Sequence, residues 1–204
     1  MTLPDDITLH PTPDADPKQK HILEAAGEAF IAFGYRRTSM EEIARRAGMS
    51  RAALYLHYKN KEDIYASLVS RFYDEAAEGF SAGLAAGTTP TDALVRGFKA
   101  KLSPAFRAIS ASPHASELLD ISSKVGGQVV AQGETIMRLV LADWLGAEVK
   151  AQRISLTRTG GSAVDTAQLI LSAAHGVKAA VSSVDEAETR LLQLATAFGH
   201  ALTP

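Results

Sequence analysis

Residues 39–61 read SMEEIARRAGMSRAALYLHYKNK, and the rest of the chain is organised around them. Ser39 precedes an apolar series at helical spacing: Met40, Ile43, Ala44 and Ala47. With Glu42 three residues on, Ser39 forms a capping box, which predicts a helix start. Gly48 supplies the left-handed backbone that stops that helix. Ser50 is the next N-cap and opens a second helix, from Arg51 to about Tyr55. At about two turns, this second helix cannot hold itself together alone. Its support must come from Leu54 facing inward, from helix 40–47 crossing it, and from the helix before. Ala44 is small enough for the helices to approach closely, and Ala44 and Gly48 stand four apart, as a helix-turn-helix requires.

In such a unit the N-terminal end of the second helix enters the major groove of DNA. That brings Ser50, Arg51, Ala52 and Tyr55 near base edges and backbone. Arg51 can bond bidentately to guanine O6 and N7, and Ala52 can meet a thymine methyl. Tyr55, His57 and Lys61 hold phosphates on this reading, as does Ser39; such contacts set register without reading sequence. A cation at Lys61, at a helix start, opposes the helix dipole, so a phosphate partner accounts for it. Arg36 and Arg37, in the preceding connection, are further phosphate candidates. Tyr58 reads as packing under the next helix, and Arg45 and Arg46 as solvated.

The pattern T-x-x-x-x-I-A-x-x-A-G-x-S-x-x-x-L-Y-x-H-Y-x-x-K resembles the DNA-binding domain of TetR-family transcriptional regulators. It is carried here by Thr38, Ile43, Ala44, Ala47, Gly48, Ser50, Leu54, Tyr55, His57, Tyr58 and Lys61, behind a helix ending in Phe33-Gly34-Tyr35. The resemblance covers roughly residues 17–70; beyond them the chain matches only in length and helical character.

Composition agrees with that reading once charge is mapped. The net charge of −2 argues against nucleic acid, but residues 17–61 carry nine Lys or Arg against four Glu. Residues 1–16 carry four Asp and no base, and 62–204 carry twelve bases against fifteen acids. The positive field therefore sits on the reading stretch, where phosphate attraction needs it. The chain has no cysteine, which excludes disulfides and thiolate metal sites and fits a reducing cytoplasm. No apolar run is long enough to span a membrane, and the N-terminus has no signal-peptide pattern.

Taken in order, residues 1–16 read as a disordered acidic tail. A first helix starts at Asp16-Pro17, its core face formed by Ile22, Ala25, Ala26, Ala29, Phe30 and Phe33. The domain boundaries expected are 17–61 for the helix-turn-helix domain and 62–204 for a helical effector-binding and dimerisation domain. A long helix from Asn60–Asp63 to about Leu84 links the two and offers a coupling route. Thr89-Pro90 opens another helix, which Pro104 kinks or splits. Ser112-Pro113 starts a further one, and Gly126-Gly127 breaks the chain again. A helix ending near Gly146 and two last ones, about 162–182 and 185–202, complete an all-α fold of about nine helices.

One reading helix makes few base contacts, so selectivity calls for a homodimer with its two reading helices about 34–36 Å or a multiple apart on a palindromic operator. The resemblance implies that the last two helices form the dimer interface, with Leu171, Leu191, Leu194 and Phe198 as candidates; burial within one subunit explains part of the same stripes. It implies a small-molecule effector in the middle helices, apolar or amphipathic, whose binding releases a repressor. Candidate lining residues are Phe72, Phe98, Phe106, Arg138, Trp144 and His175, each aromatic reading equally as core and His175 as a satisfied core histidine. No phosphate loop, metal cluster or nucleophile elbow is present, so no cofactor, metal or enzyme activity is expected. The alternatives left are a ligand-independent architectural DNA-binding protein and a small helical enzyme or ligand carrier.

Overall fold

The computed structural model describes residues 16–102, 104–125, 127–179 and 183–204. Their regular structure is helical throughout: α1 (Pro17–Phe33), α2 (Met40–Arg46), α3 (Arg51–Tyr55), α4 (Lys61–Ala85), α5 (Pro90–Lys101), α6 (Pro104–Ala111), α7 (Ala115–Val125), α8 (Gly127–Lys150), α9 (Ala163–Ala179) and α10 (Val184–Leu202). Ten helices thus stand among the described residues where about nine were expected. Pro104 opens a helix of its own, and α8 continues past Gly146. The acidic tail expected at the N-terminus lies outside the described residues, apart from Asp16.

Two compact units emerge, and their limits differ from those expected. One contains the described residues up to Arg71 together with Ser112–Val130; the other contains Phe72–Ala111 and Ala131–Pro204. The start of α4 and the whole of α7 therefore belong with α1 to α3. No local pattern marks α7 for that place, because its partners there are distant in sequence.

In the first unit, Asp16 caps α1 by accepting from Lys18 N–H, with Pro17 at the first position. Ile22, Leu23, Ala25, Ala26, Ala29 and Phe30 form its buried face. Phe33, expected in that face, is exposed, with the Arg46 guanidinium 4.9 Å from its ring centre. Ile22, Ile43, Leu54 and Ile64 are fully buried. Each such side chain contributes about 1.5–3 kcal/mol. The rings of Phe30, Tyr35 and Tyr65 pack with centroids 5.1 to 5.5 Å apart. Helix α7 joins them through two long-range hydrogen bonds: Tyr65 Oη donates to Leu118 O at 2.6 Å, and Ser112 Oγ, just before α7, donates to Ile31 O at 2.7 Å.

The second unit is built on α5 and α10, with α9 beside α10. Its core gathers Phe80, Leu84, Leu94, Phe98, Met137, Leu141, Leu145, Ile170 and Leu191. Phe80 and Phe98 meet edge to face at 5.4 Å, a preferred aromatic geometry. Two glycines permit the helices to close up. A Cβ at Gly133 would collide with the Tyr73 ring, and one at Gly199 would collide with the Thr91 backbone. Burial, and then the Glu134 carboxylate, push the Tyr73 hydroxyl up to about 12. The chain end is tied down as well: Ser155 N–H donates to Leu202 O, and Arg158 Nη1 to Thr203 O.

Candidate nucleic-acid interface

The reading stretch folds as a capped helix, a left-handed turn and a second capped helix. Ser39 accepts from Glu42 N–H at 3.1 Å and Ser50 from Ala53 N–H at 3.1 Å. Gly48 takes φ +61, and the bonds Gly48 N–H to Arg45 O and Met49 N–H to Ala44 O close a Schellman motif. Only half of the Ser39 capping box forms. The Glu42 carboxylate turns instead to Arg45 and Arg46, at 2.7 and 2.8 Å. Those hydrogen bonds, Arg45's first, hold Glu42 below its ordinary pKa of 4.5. Arg45 and Arg46, read as solvated, are thus paired.

Helix α3 has one side anchored and one side open. Leu54 is 0% exposed, whereas Arg51, Ala52 and Tyr55 all face outward. The Arg51 guanidinium lies 5.6 Å from the Tyr55 ring centre, and its Nη2 donates to Tyr55 Oη at 3.4 Å. Stacking of this kind narrows the directions an arginine samples, so less freedom is lost when it meets a base. A shallow concavity lined by Glu41, Ala44, Arg45, Met49 and Arg51 runs beside the helix. Leu56, which ends α3, is 86% exposed and was not singled out from the sequence. His57 is half-buried, and Tyr58 is buried as expected, its hydroxyl pKa raised by that burial.

Lys61 makes contacts that its sequence reading did not include, and the neighbouring polar residues bond within the domain. Lys61 was expected on a phosphate, but its ammonium donates to Tyr35 O and Thr38 O at 2.8 Å each and lies 4.3 Å from the Tyr35 ring centre. A half-buried cation with two carbonyl acceptors holds the α1–α2 connection. The hydroxyl oxygens of Ser39 and Ser50 serve as caps. Thr38, part of the motif but given no role, is 1% exposed and donates from Oγ1 to Gly34 O at 2.7 Å. Arg36 and Arg37 are exposed in the same connection, and Arg36 N–H donates to Glu117 Oε1 of α7 at 2.8 Å. Nothing local in the sequence marks Glu117 for a partner 81 residues away.

The ligand-pocket candidates lie in different settings. Phe98 is 1% exposed inside the core, and Phe106 and Trp144 pack against that core. Phe72 faces Phe106 at 6.4 Å. Arg138 donates to Gln168 Oε1 at 3.0 Å, and His175, read as a core histidine, is exposed. The dimer candidates also take part in packing within their own unit. Leu191 is 1% exposed and belongs to the core of its own unit, with Leu171, Leu194 and Phe198 packed against it. The outward face of α10 is a groove lined by Thr189, Leu192, Gln193, Thr196, Ala197 and His200, while α9 exposes Val164 and Leu169. Among the described residues no cluster of three metal-ligating side chains occurs, and no helix is long and apolar enough to cross a membrane.

Comparison with known proteins agrees with this geometry. The profile of bacterial regulatory proteins of the tetR family matches residues 22–68. The transcriptional activator FasR of Mycolicibacterium smegmatis is 38% identical over 64 residues, covering 31% of this chain and 29% of that protein. The chain therefore spans less than a third of the length of the curated relatives it matches. A transcriptional regulator from Cytophaga hutchinsonii shares the fold over 93% of this chain and 100% of its own, with TM-score 0.76 and 18% identity. SmeT, the repressor of the Stenotrophomonas maltophilia multidrug efflux pump SmeDEF, aligns at TM-score 0.62 with 21% identity over 91% of this chain and 90% of its own, and its triclosan complex at 0.63. Residues 22–68 thus match the DNA-binding domain of the tetR family of bacterial regulatory proteins, and the chain as a whole shares its all-α fold with the Cytophaga hutchinsonii regulator.

Proposed function

We propose that the chain is a sequence-specific DNA-binding transcriptional regulator that acts as a homodimer and answers to a small molecule. The observation that carries this reading is the open face of α3. Arg51, Ala52 and Tyr55 stand outward on a helix pinned from behind by Leu54, in a stretch with nine basic and four acidic residues. Arg51 reads guanine, Ala52 meets a thymine methyl, and Tyr55 and His57 with Arg36 and Arg37 hold the backbone. Ser39 and Ser50 keep their hydroxyl protons for phosphate while their oxygens cap the helices. Lys61 supports them from behind, through the Tyr35 and Thr38 carbonyls. A second copy packs on the outward faces of α9 and α10, where Val164, Leu169 and Ala197 offer apolar and small surface.

The effector arm rests on the tetR-family match over residues 22–68 and on the likeness in fold to SmeT, which is known in complex with triclosan. It implies an apolar or amphipathic ligand and repression relieved on binding, in the cytoplasm where the chromosome is. FasR, an activator, marks the opposite regulatory sign as available to the same domain. A ligand-independent DNA-binding protein is the second reading, and the closely packed core around Phe80 and Phe98 favours it. Selection of bound duplexes from a random DNA pool at physiological salt tests the main reading. A palindromic consensus is expected; weak binding with no consensus would overturn it. Release of that duplex by members of an apolar-compound library separates the two readings.

A further inference from the structure

Glu117, in the first turn of α7, reaches the connection between α1 and α2 and meets it twice. Its Oε1 accepts Arg36 N–H at 2.8 Å, a charge-assisted bond. Its Oε2 lies against Gly34, where a Cβ would collide with it, and 3.9 Å from His114 Nδ1. Gly34 takes φ +80, so this turn admits the carboxylate because residue 34 has no side chain. The Glu117 side chain is 22% exposed and held in place, whereas that of Arg36 is 79% exposed with Nε 3.9 Å from the carboxylate. From Arg36 the chain runs through Arg37 and Thr38 directly into the cap of α2.

We infer that Glu117 is a positioning residue for DNA binding: it holds the Gly34–Arg36 turn, and its carboxylate competes with backbone phosphate for the Arg36 guanidinium. The inference rests on the proposed DNA-binding function. Two charged groups fix the turn, Lys61 through the Tyr35 and Thr38 carbonyls and Glu117 through the Arg36 N–H. They differ in effect on DNA. The lysine leaves the local field positive, while a carboxylate within a Debye length of on the order of 10 Å repels the phosphate that Arg36 would take. Arg36 can leave the carboxylate without disturbing the turn, because the backbone bond to Oε1 does not depend on the guanidinium.

Two conservative variants separate holding from competition. Glu117→Gln keeps the reach and an acceptor oxygen but loses the charge. Glu117→Asp keeps the charge but falls one methylene short of the Arg36 N–H. Binding is read by fluorescence anisotropy across a salt series, on the duplex that the wild-type chain selects from a random pool and on a scrambled duplex of equal length. Glu117→Gln is expected to bind both duplexes roughly threefold to tenfold more tightly, selectivity retained, with a salt slope steeper by up to about 0.9. That gain should vanish when Arg36→Ala is added. Glu117→Asp is expected to keep the wild-type slope and lose roughly tenfold in selectivity, on the order of one well-placed contact. An unchanged slope in Glu117→Gln, or a gain that survives Arg36→Ala, would overturn the competition. Full selectivity in Glu117→Asp would overturn the positioning. A wild-type chain that selects no duplex would overturn the DNA-binding reading and this inference with it, and selective wild-type binding with unaltered variants overturns the inference alone.

Discussion

The Lys61 ammonium lies 4.3 Å from the centre of the Tyr35 ring and donates to the carbonyl of the same residue at 2.8 Å. A second bond of equal length goes to Thr38 O. Burial lowers the lysine pKa, while the Glu62 and Glu117 carboxylates oppose the shift. A cation so placed is a strut between α4 and the approach to α2. Lys61→Met should therefore cost stability, about 1.5–3 kcal/mol for hydrogen bonds to a charged group. The urea midpoint should fall while the salt slope of DNA binding stays near that of the wild type. An unchanged midpoint with a slope reduced by about one would make Lys61 a phosphate contact instead.

Arg51 and Tyr55 form a pair on the open face of α3, and their roles can be told apart. Arg51→Ala should relax selectivity at one base pair of each half-site and cost about 1–3 kcal/mol on the selected duplex, with a smaller loss on scrambled DNA. Tyr55→Phe keeps the ring beneath the guanidinium and removes only the hydroxyl, so its loss should be smaller and spread over both duplexes. Equal selectivity in Arg51→Ala and the wild type would remove Arg51 from base reading.

What the sequence reveals of this molecule is what is local. Ser39, Gly48 and Ser50 announce caps and a turn within a dozen residues, and each takes the place its chemistry demands. Pro17 and Pro90 mark helix starts for the same reason. Glu117 and Arg36 are 81 positions apart, as are Ser112 and Ile31, and no periodicity links them. That is why α7 was assigned with the later helices. Helix α10 shows a different limit. A stripe containing Leu191, Leu194 and Phe198 says which face is apolar but not whether a neighbour or a second copy covers it; here the same unit buries Leu191 and packs in part against Leu194 and Phe198. Lys61 illustrates a third, since a lysine at a motif position looks the same whether its partner is a phosphate or a carbonyl.

Two glycines should fail on substitution for opposite reasons. Gly48 has open space around the Cβ position but φ +61, so Gly48→Ala carries backbone strain alone, about 1–2 kcal/mol. Gly48→Asn should recover part of that loss, since asparagine tolerates this region. Gly133 has no positive φ, yet a Cβ there would collide with the Tyr73 ring. Gly133→Ala should cost at least about 1–3 kcal/mol as overpacking, and Tyr73→Leu should relieve it. Chemical denaturation of the four variants checks this. Rescue of Gly133→Ala by Tyr73→Leu is the outcome that distinguishes collision from a loss of helix propensity.

Glu42 gives the reading unit a pH dependence whose sign follows from its partners. Hydrogen bonds from Arg45 and Arg46 hold its folded-state pKa below the ordinary 4.5. A depressed carboxylate contributes stability that is complete above the unfolded value and disappears as pH falls through the folded one. The wild type should therefore be more stable than Glu42→Gln at neutral pH, and the two should converge as pH drops below 4.5. Other carboxylates titrate equally in both chains and cancel in the difference. Urea midpoints compared at neutral pH and well below that value read the effect, with the neutral gap narrowing in high salt because the pair is at the surface. A gap that persists in acid would mean that Glu42 acts through packing or helix propensity, and that its two arginines are free for phosphate at no cost to α2.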